Sequence, residues 1–213
     1  MSNVTEEYWN AYYAEKKKPA VPSQFATFVL NEFSHIDRFI DIGCGDGRDS
    51  LFFATYGKEV LGLDGSSSAV DFCTKTATDR GLGTASFDTL NLDDATAIQS
   101  FAQQGDASSQ DAIVYARFFL HAINETAQEN FLTLAASLIG ENGRVCLEFR
   151  TPRDEFQTKV TAAHYRRYVD PIALILEADK HGLDCAYMAE GFGFAKYKSD
   201  DAYVARIVFE KRC

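Results

Sequence analysis

A short apolar run, Arg38-Phe39-Ile40-Asp41-Ile42, meets three glycines at alternate positions, Gly43, Gly45 and Gly47, and an apolar helical run, Leu51-Phe52-Phe53-Ala54, follows at once. Glycine lets the backbone turn sharply and approach a ligand with no Cβ in the way. The helix behind the loop offers free N–H groups to an anionic ligand group. A strand, a glycine loop and a helix in this order commit the chain to an α/β architecture with a nucleotide-type cofactor site beyond the carboxyl end of the strand.

The spacing narrows the cofactor. The dinucleotide fingerprint G-x-G-x-x-G needs its third glycine where this chain has Arg48, because Gly47 arrives one residue early. That spacing weakens a nicotinamide oxidoreductase. No Gly-Lys-Ser/Thr follows, so the loop is not a phosphate-binding P-loop. A second apolar run, Glu59-Val60-Leu61-Gly62-Leu63, ends in Asp64 and is followed by Gly65 and Ser66. Two carboxylate oxygens at a strand tip suit the two hydroxyls of a ribose. A turn or helix-capping aspartate is the plainer alternative.

The acidic strand end, the three alternate glycines and the downstream acid together resemble motif I and the following strand of the class I S-adenosylmethionine-dependent methyltransferases. The resemblance covers roughly residues 36–150 by motif and the rest by pattern. It implies a doubly wound, Rossmann-like α/β fold with a seven-stranded, mostly parallel sheet whose last strand is antiparallel. It implies S-adenosyl-L-methionine as cofactor, held by Asp41, Gly43, Cys44, Gly45, Gly47, Arg48, Asp64, Gly65 and Ser66. Cys44 fills a loop position that needs a small side chain, and it receives no catalytic role. After the third strand the family carries an acid that contacts the adenine amino group. Here that place falls on Asn91, with Leu92 packing on the ring and Asp88 as an alternative by an offset of three.

The alternation of apolar runs predicts strands near 38–42, 59–63, 84–88, 111–116 and 143–149, and helices near 48–56, 67–80, 94–103 and 125–139. Strands separated by helices imply right-handed crossovers and a parallel sheet covered on both faces. A helix near 170–181 and strands at 184–190 and 203–210 follow, with Gly191 and Gly193 between the strands. The reading divides the chain into an N-terminal helical extension, 1–35, and a methyltransferase domain, 36–213, with an acceptor-binding segment near 150–170. Tyr8, Trp9, Tyr12 and Tyr13 share a helical face. That helix either packs on the sheet or covers the cofactor and acceptor as a lid, which would exclude water from the site.

Residues beyond the carboxyl ends of the fourth and fifth strands lie where methyl transfer should occur. These are Arg117, His121 and Arg150. The Asn/Asp-Pro-Pro-aromatic motif of nucleobase and amide methyltransferases is absent, which counts against DNA, RNA-base and protein-amide acceptors. The run His164-Tyr165-Arg166-Arg167-Tyr168 is unusual in a chain with a net charge of −10. Arginine grips phosphate or carboxylate with a planar pair of donors. Arg117, His121, Arg150, His164, one of Arg166 and Arg167, Tyr168 and Tyr13 are therefore the expected acceptor-binding residues, with Arg117, His121 and His164 as catalytic candidates.

An oxyanion acceptor needs alignment with the methyl group but no base. The expected activity is O-methylation of a small anionic molecule such as a phosphonate, phosphate ester or carboxylate, similar to small bacterial enzymes that tailor phosphonates or surface-polysaccharide precursors. Two alternatives stand beside it: methyl transfer to a neutral hydroxyl or amine with His121 or His164 as base, and a cofactor-binding protein without activity. The acidic charge argues against a nucleic-acid or anionic-membrane partner. The start of the chain lacks the basic and apolar regions of a signal peptide. Five scattered cysteines without a C-x-x-C read as reduced thiols in a cytoplasm. No metal is expected.

Overall fold

A computed structural model describes residues 7–11, 21–104, 111–157, 159, 165–197 and 199–212. Tyr13 and His164 lie outside the described residues. The strands are β1 (Arg38–Ile42), β2 (Glu59–Asp64), β3 (Ala85–Thr89), β4 (Ala112–Arg117), β5 (Arg144–Arg150), β6 (Leu183–Tyr197) and β7 (Asp200–Lys211). The helices are α1 (Gln24–Glu32), α2 (Ser50–Thr55), α3 (Ser67–Asp79), α4 (Ala95–Gln104), α5 (Glu125–Leu138) and α6 (Pro171–Asp179). Residues 7–11 are also helical.

One seven-stranded sheet runs in the order β3-β2-β1-β4-β5-β7-β6. β1 to β5 pair in parallel, and β7 runs antiparallel to both β5 and β6. This is the expected doubly wound sheet with its reversed last strand. The strand order reverses at β1, whose parallel neighbours β2 and β4 lie on opposite sides of it, so a crevice forms at the tips of these strands.

Period-2 alternation divides the side chains between two faces. Ile40, Val114, Leu147 and Ile207 join Phe131 and Leu134 of α5 and Leu174 of α6 in one apolar cluster. Phe39, Ile113, Tyr115, Cys146 and Val208 join Phe25 and Val29 of α1 and Phe53 of α2 in the other. Both faces are buried, so the central strands read as nearly continuous apolar runs. Each large side chain fully buried in this way contributes about 1.5–3 kcal/mol.

The helix starts follow local chemistry. Ser23, Ser66, Asn124 and Asp170 each accept a backbone N–H of the first turn behind them, and Pro171 opens α6, where its missing N–H costs nothing.

One boundary departs from the sequence reading. Gly191 and Gly193 were expected in a loop between the last two strands, but both lie inside β6, which continues to Tyr197 and pairs there with Asp200 of β7. A register shift between Gly191 and Ala195 absorbs the extra residues as a bulge. Gly193 takes φ +82° and donates its N–H to Asp201 Oδ1 at 2.7 Å. A glycine inside a strand marks a bulge as readily as a turn. Among the described residues no helix is long and apolar enough to cross a membrane.

Candidate active site

The loop between β1 and α2 is built on left-handed glycines. Gly43, Gly45 and Gly47 have φ of +78°, +57° and +70°. A Cβ at Gly43 would lie 2.3 Å from Cδ2 of Phe119, so this glycine is also required by packing. The N–H groups of Gly43 and Cys44 both donate to the Leu63 carbonyl, at 2.7 and 3.1 Å, which lays the loop across the tip of β2.

Asp64 stands at that tip. Its Oδ2 accepts the N–H of Gly45 and its Oδ1 the N–H of Ser66, each at 2.9 Å. Burial raises its pKa, while the N–H groups of Ser66, Gly45 and Gly65 oppose the rise. Each oxygen keeps lone pairs for a further donor, which is what a ribose diol requires. Ser66 caps α3 and donates from Oγ to Oδ1 of Asn10 at 2.6 Å, so the N-terminal helical segment touches the chain two residues from Asp64.

Asn91 is half-buried and its Oδ1 accepts the Asp93 N–H at 3.0 Å; Leu92 beside it is buried. Asp88 is exposed, in register with Leu63, and its Oδ1 receives the N–H of Thr89 at 2.7 Å. Asp41 ends β1 beneath the loop. It is 3% exposed, and Ser50 Oγ donates to it at 2.5 Å. Burial pushes its pKa up to about 8, against the Ser50 hydrogen bond. Arg48 turns away from the loop and donates from Nε to the Val21 carbonyl at 2.9 Å. Its neighbour Asp49 accepts from Ser23 N–H at 2.7 Å, and from Ser23 Oγ and the Tyr115 hydroxyl at 2.8 Å each. The start of α1 is thus stapled to the start of α2.

Beside this loop, three charged residues stand in one row across the sheet. Arg117 of β4 is opposite Glu148 of β5, and Glu148 is opposite Arg206 of β7. Arg117 Nε donates to Glu148 Oε1 at 2.7 Å and Arg206 Nε to Glu148 Oε2 at 2.8 Å. Glu148 is 1% exposed, and both of its oxygens are paired with a guanidinium, as a buried charge requires. Burial opposes the charge on Arg117, and Glu148, Tyr115 and Asp49 outweigh it and hold its pKa above the usual value. Arg206 also donates from Nη2 to the Phe194 carbonyl at 2.9 Å and lies against the rings of Phe25 and Phe194. Arg117 engages Glu148 through Nε, and its terminal Nη edge makes no hydrogen bond among the described residues.

The next residue, Phe118, has φ +54°, the one non-glycine residue with positive φ among those described. Such strain persists where the surroundings over-determine the backbone, and it concentrates at functional sites. Its N–H donates to the Glu148 carbonyl at 2.8 Å. The Arg117 guanidinium lies 4.4 Å from the Phe118 ring centroid, that of Arg150 lies 5.2 Å from it, and His121 meets the ring edge-on at 5.3 Å. His121 itself is buried in the short turn Leu120–Ala122.

The expected arginine cluster is brought together only in part. Arg117 and Arg150 flank one ring, but Arg150 gives Nη1 to Asp154 at 2.5 Å and Nη2 to Asp200 at 2.8 Å. Arg167 reaches elsewhere. Its N–H donates to the His121 carbonyl at 2.8 Å and its Nη2 to Gln128 Oε1 at 2.5 Å. With Tyr168 it lines a cavity of about 530 Å³ between α5 and α6, bordered by Glu125, Glu129, Asp170 and Glu177. Arg166 is half-buried, and Tyr168 lies 5.7 Å from the Lys159 ammonium.

Sequence reasoning passed over Asn10, Asp49, Tyr115 and Arg206. Tyr115 had a readable signal: it shares strand parity with Arg117 and so faces the same side. Arg206 had none, because its place opposite Glu148 is set by the pairing of β5 with β7.

Residues 39–143 match the family model described as a methyltransferase domain. The fold is that of the class I S-adenosylmethionine-dependent methyltransferases. The chain carries that methyltransferase domain: it is an S-adenosylmethionine-dependent methyltransferase with S-adenosylmethionine as its cofactor, which the Asp64 carboxylate and the glycine loop fit. A search of the curated proteins found no match. Among solved structures, an S-adenosylmethionine-dependent methyltransferase from Anabaena variabilis superposes with a TM-score of 0.74 at 18% identity, over 100% of this chain and 96% of that one. The CcbJ methyltransferase from Streptomyces caelestis gives 0.70 at 15% identity over 98% of both chains. A structure described under the conversion of a disulfide bond into a thioacetal group during echinomycin biosynthesis gives 0.73 at 17% identity, over 99% of this chain and 92% of that one.

Proposed function

We propose that this methyltransferase modifies an oxygen of a small anionic acceptor gripped by Arg117. The carrying observation is the state of that side chain. Glu148 fixes its Nε, the Phe118 ring supports its plane, and its Nη edge is open at the tip of β4, beside the glycine loop. A pre-oriented guanidinium offers two parallel donors to a carboxylate or phosphate-type group. Bound S-adenosylmethionine supplies an electrophilic methyl group on a sulfonium sulfur. An oxyanion already carries the lone pair it needs, so the work of the chain is alignment. His121 then positions the Phe118 ring. None of the similar structures named above is described as acting on a phosphonate or polysaccharide; the reading rests on Arg117.

The N-terminal segment serves in this reading as a lid on the cofactor. The hydrogen bond from Ser66 to Asn10, two residues from Asp64, supports that role. Incubation with labelled S-adenosylmethionine and a panel of phosphonates, phosphosugars and carboxylic acids tests the proposal. Label should pass to an anion, and Arg117→Lys should raise its KM while leaving cofactor affinity near the wild-type value. Transfer to neutral alcohols or amines alone would overturn it.

A further inference from the structure

We infer that the acceptor's anionic group is a carboxylate and that its oxygen is the atom methylated, giving a methyl ester. This rests on the anionic-acceptor reading above and names its substrate class.

The first argument is the number of donors. Among the described residues, three guanidiniums stand on this side of the sheet around the carboxyl ends of β4 and β5, at Arg117, Arg150 and Arg206; Arg144, on the same side, sits at the opposite end of β5 and pairs with Glu210. Both Nη atoms of Arg150 are held by Asp154 and Asp200, and Arg206 is held by Glu148 and the Phe194 carbonyl. One planar edge is left, that of Arg117. A single fork matches the two oxygens of a carboxylate. A phosphate-type group presents three acceptor oxygens, and one fork leaves the third without a donor.

The second argument is charge. Around Arg117 stand Arg206, Glu148 and Asp49, and across the Phe118 ring Arg150 with Lys159 meets Asp154 and Asp200, four cations and four anions in all; Asp41, pushed up to about 8 by burial, is mostly protonated at neutral pH. The layer is close to neutral before the acceptor enters. One negative charge beside the sulfonium of the cofactor leaves the reacting pair neutral. A dianion would leave an uncompensated charge in a layer where Glu148 is almost fully buried, and buried unpaired charge is expensive.

In the step itself, a carboxylate oxygen lone pair forms the new bond to the methyl carbon. The sulfur–methyl bond breaks and its electron pair returns to sulfur. The anion and the sulfonium become a neutral ester and a neutral thioether, and no proton moves. The Arg117 fork holds both oxygens, the attacking one through its other lone pair, and sets the angle of approach.

Calorimetry on the enzyme saturated with S-adenosylhomocysteine tests the inference, with benzoate and phenylphosphonate as probes at pH 7.5. Benzoate should bind roughly tenfold or more tightly than phenylphosphonate. Arg117→Lys, which keeps the charge and loses the fork, should weaken benzoate by a similar factor and leave S-adenosylhomocysteine affinity unchanged, which also reports that the variant is folded. Equal or tighter binding of phenylphosphonate, benzoate binding indifferent to Arg117, or no binding of either probe at roughly 10 mM would each overturn it. In the labelled panel, the carboxylate product should release its label as methanol in mild alkali. Transfer to phosphonates alone would end this inference and leave the anionic-acceptor reading standing, whereas transfer to neutral acceptors alone would end both.

Discussion

Asp41 and Asp64 end neighbouring strands with the same side chain, and their surroundings give them different work. Asp64 is ringed by the backbone N–H groups of Gly45, Gly65 and Ser66, which favour the carboxylate against the cost of burial. Asparagine there would turn an amide N–H toward one of these donors. Asp64→Asn should weaken S-adenosylmethionine by about ten- to a hundredfold, the loss of hydrogen bonds to a charged group worth roughly 1.5–3 kcal/mol, as read by calorimetry. Asp41 has one hydroxyl donor, and burial pushes it up to about 8. In the unfolded chain it ionises near 4. Between these values the native state holds a proton that the unfolded state has lost, so this residue makes stability fall as pH rises from about 4 to about 8, and the slope ends above that. Asp41→Asn keeps an acceptor for Ser50 and removes the titration. The stability difference between the variant and the wild type should therefore grow in the variant's favour from pH 5 to pH 8, measured by urea unfolding. A constant difference would show that Asp41 titrates in the ordinary carboxylate range.

The loop between β1 and α2 couples two requirements at one position. Gly43 needs positive φ and also space for Phe119. Gly43→Ala should abolish measurable cofactor binding and lower stability. Adding Phe119→Ala should restore part of the loss, because it removes the ring carbons at 2.3 and 2.7 Å and leaves a tight Cβ contact at 3.0 Å and the left-handed backbone cost of about 1–2 kcal/mol; the double-mutant cycle is read by thermal unfolding. This element was legible in the sequence because glycine spacing records backbone conformation directly. The parallel strands were legible for a similar reason, since their apolar runs alternate with capped helices. The β6–β7 hairpin was misplaced because a glycine in a bulge and a glycine in a turn look alike in one dimension. The row Arg117–Glu148–Arg206 joins residues from three strands, and its last member depends on the antiparallel register of β7 with β5. No local pattern states that register. Hence Arg150 and Arg167 looked as available to an acceptor as Arg117, and the carboxylates and carbonyls that engage them emerged only from the folded chain.

At the scale of the molecule, the sheet divides its labour at the centre. β1, β2 and β3 carry the glycine loop, Asp64 and the segment that leads to Asn91; β4, β5, β7 and β6 carry the charged row and the long hairpin. Arg150 fastens the far end of the second half. It joins the end of β5 to Asp154 in the turn Pro152–Asp154 and to Asp200 at the start of β7. The three groups are nearly fully buried. Removing the cation leaves two carboxylates in low dielectric, although Lys159 Nζ stands 2.9 Å from Asp154 and offsets part of the charge. Arg150→Met should therefore cost about 3–5 kcal/mol, the usual penalty for breaking a buried ion pair from one side. In a domain of this size that is a fall of roughly 6–20 °C in Tm. The loss falls on the hairpin half, so at a temperature well below the transition the variant should still bind S-adenosylmethionine within about twofold of wild type, while turnover of an acceptor falls further, because Arg150 also supports the Phe118 ring beneath Arg117. A matched loss of cofactor affinity would show that the two halves of the sheet respond as one unit, and the division of labour between them would have to be abandoned.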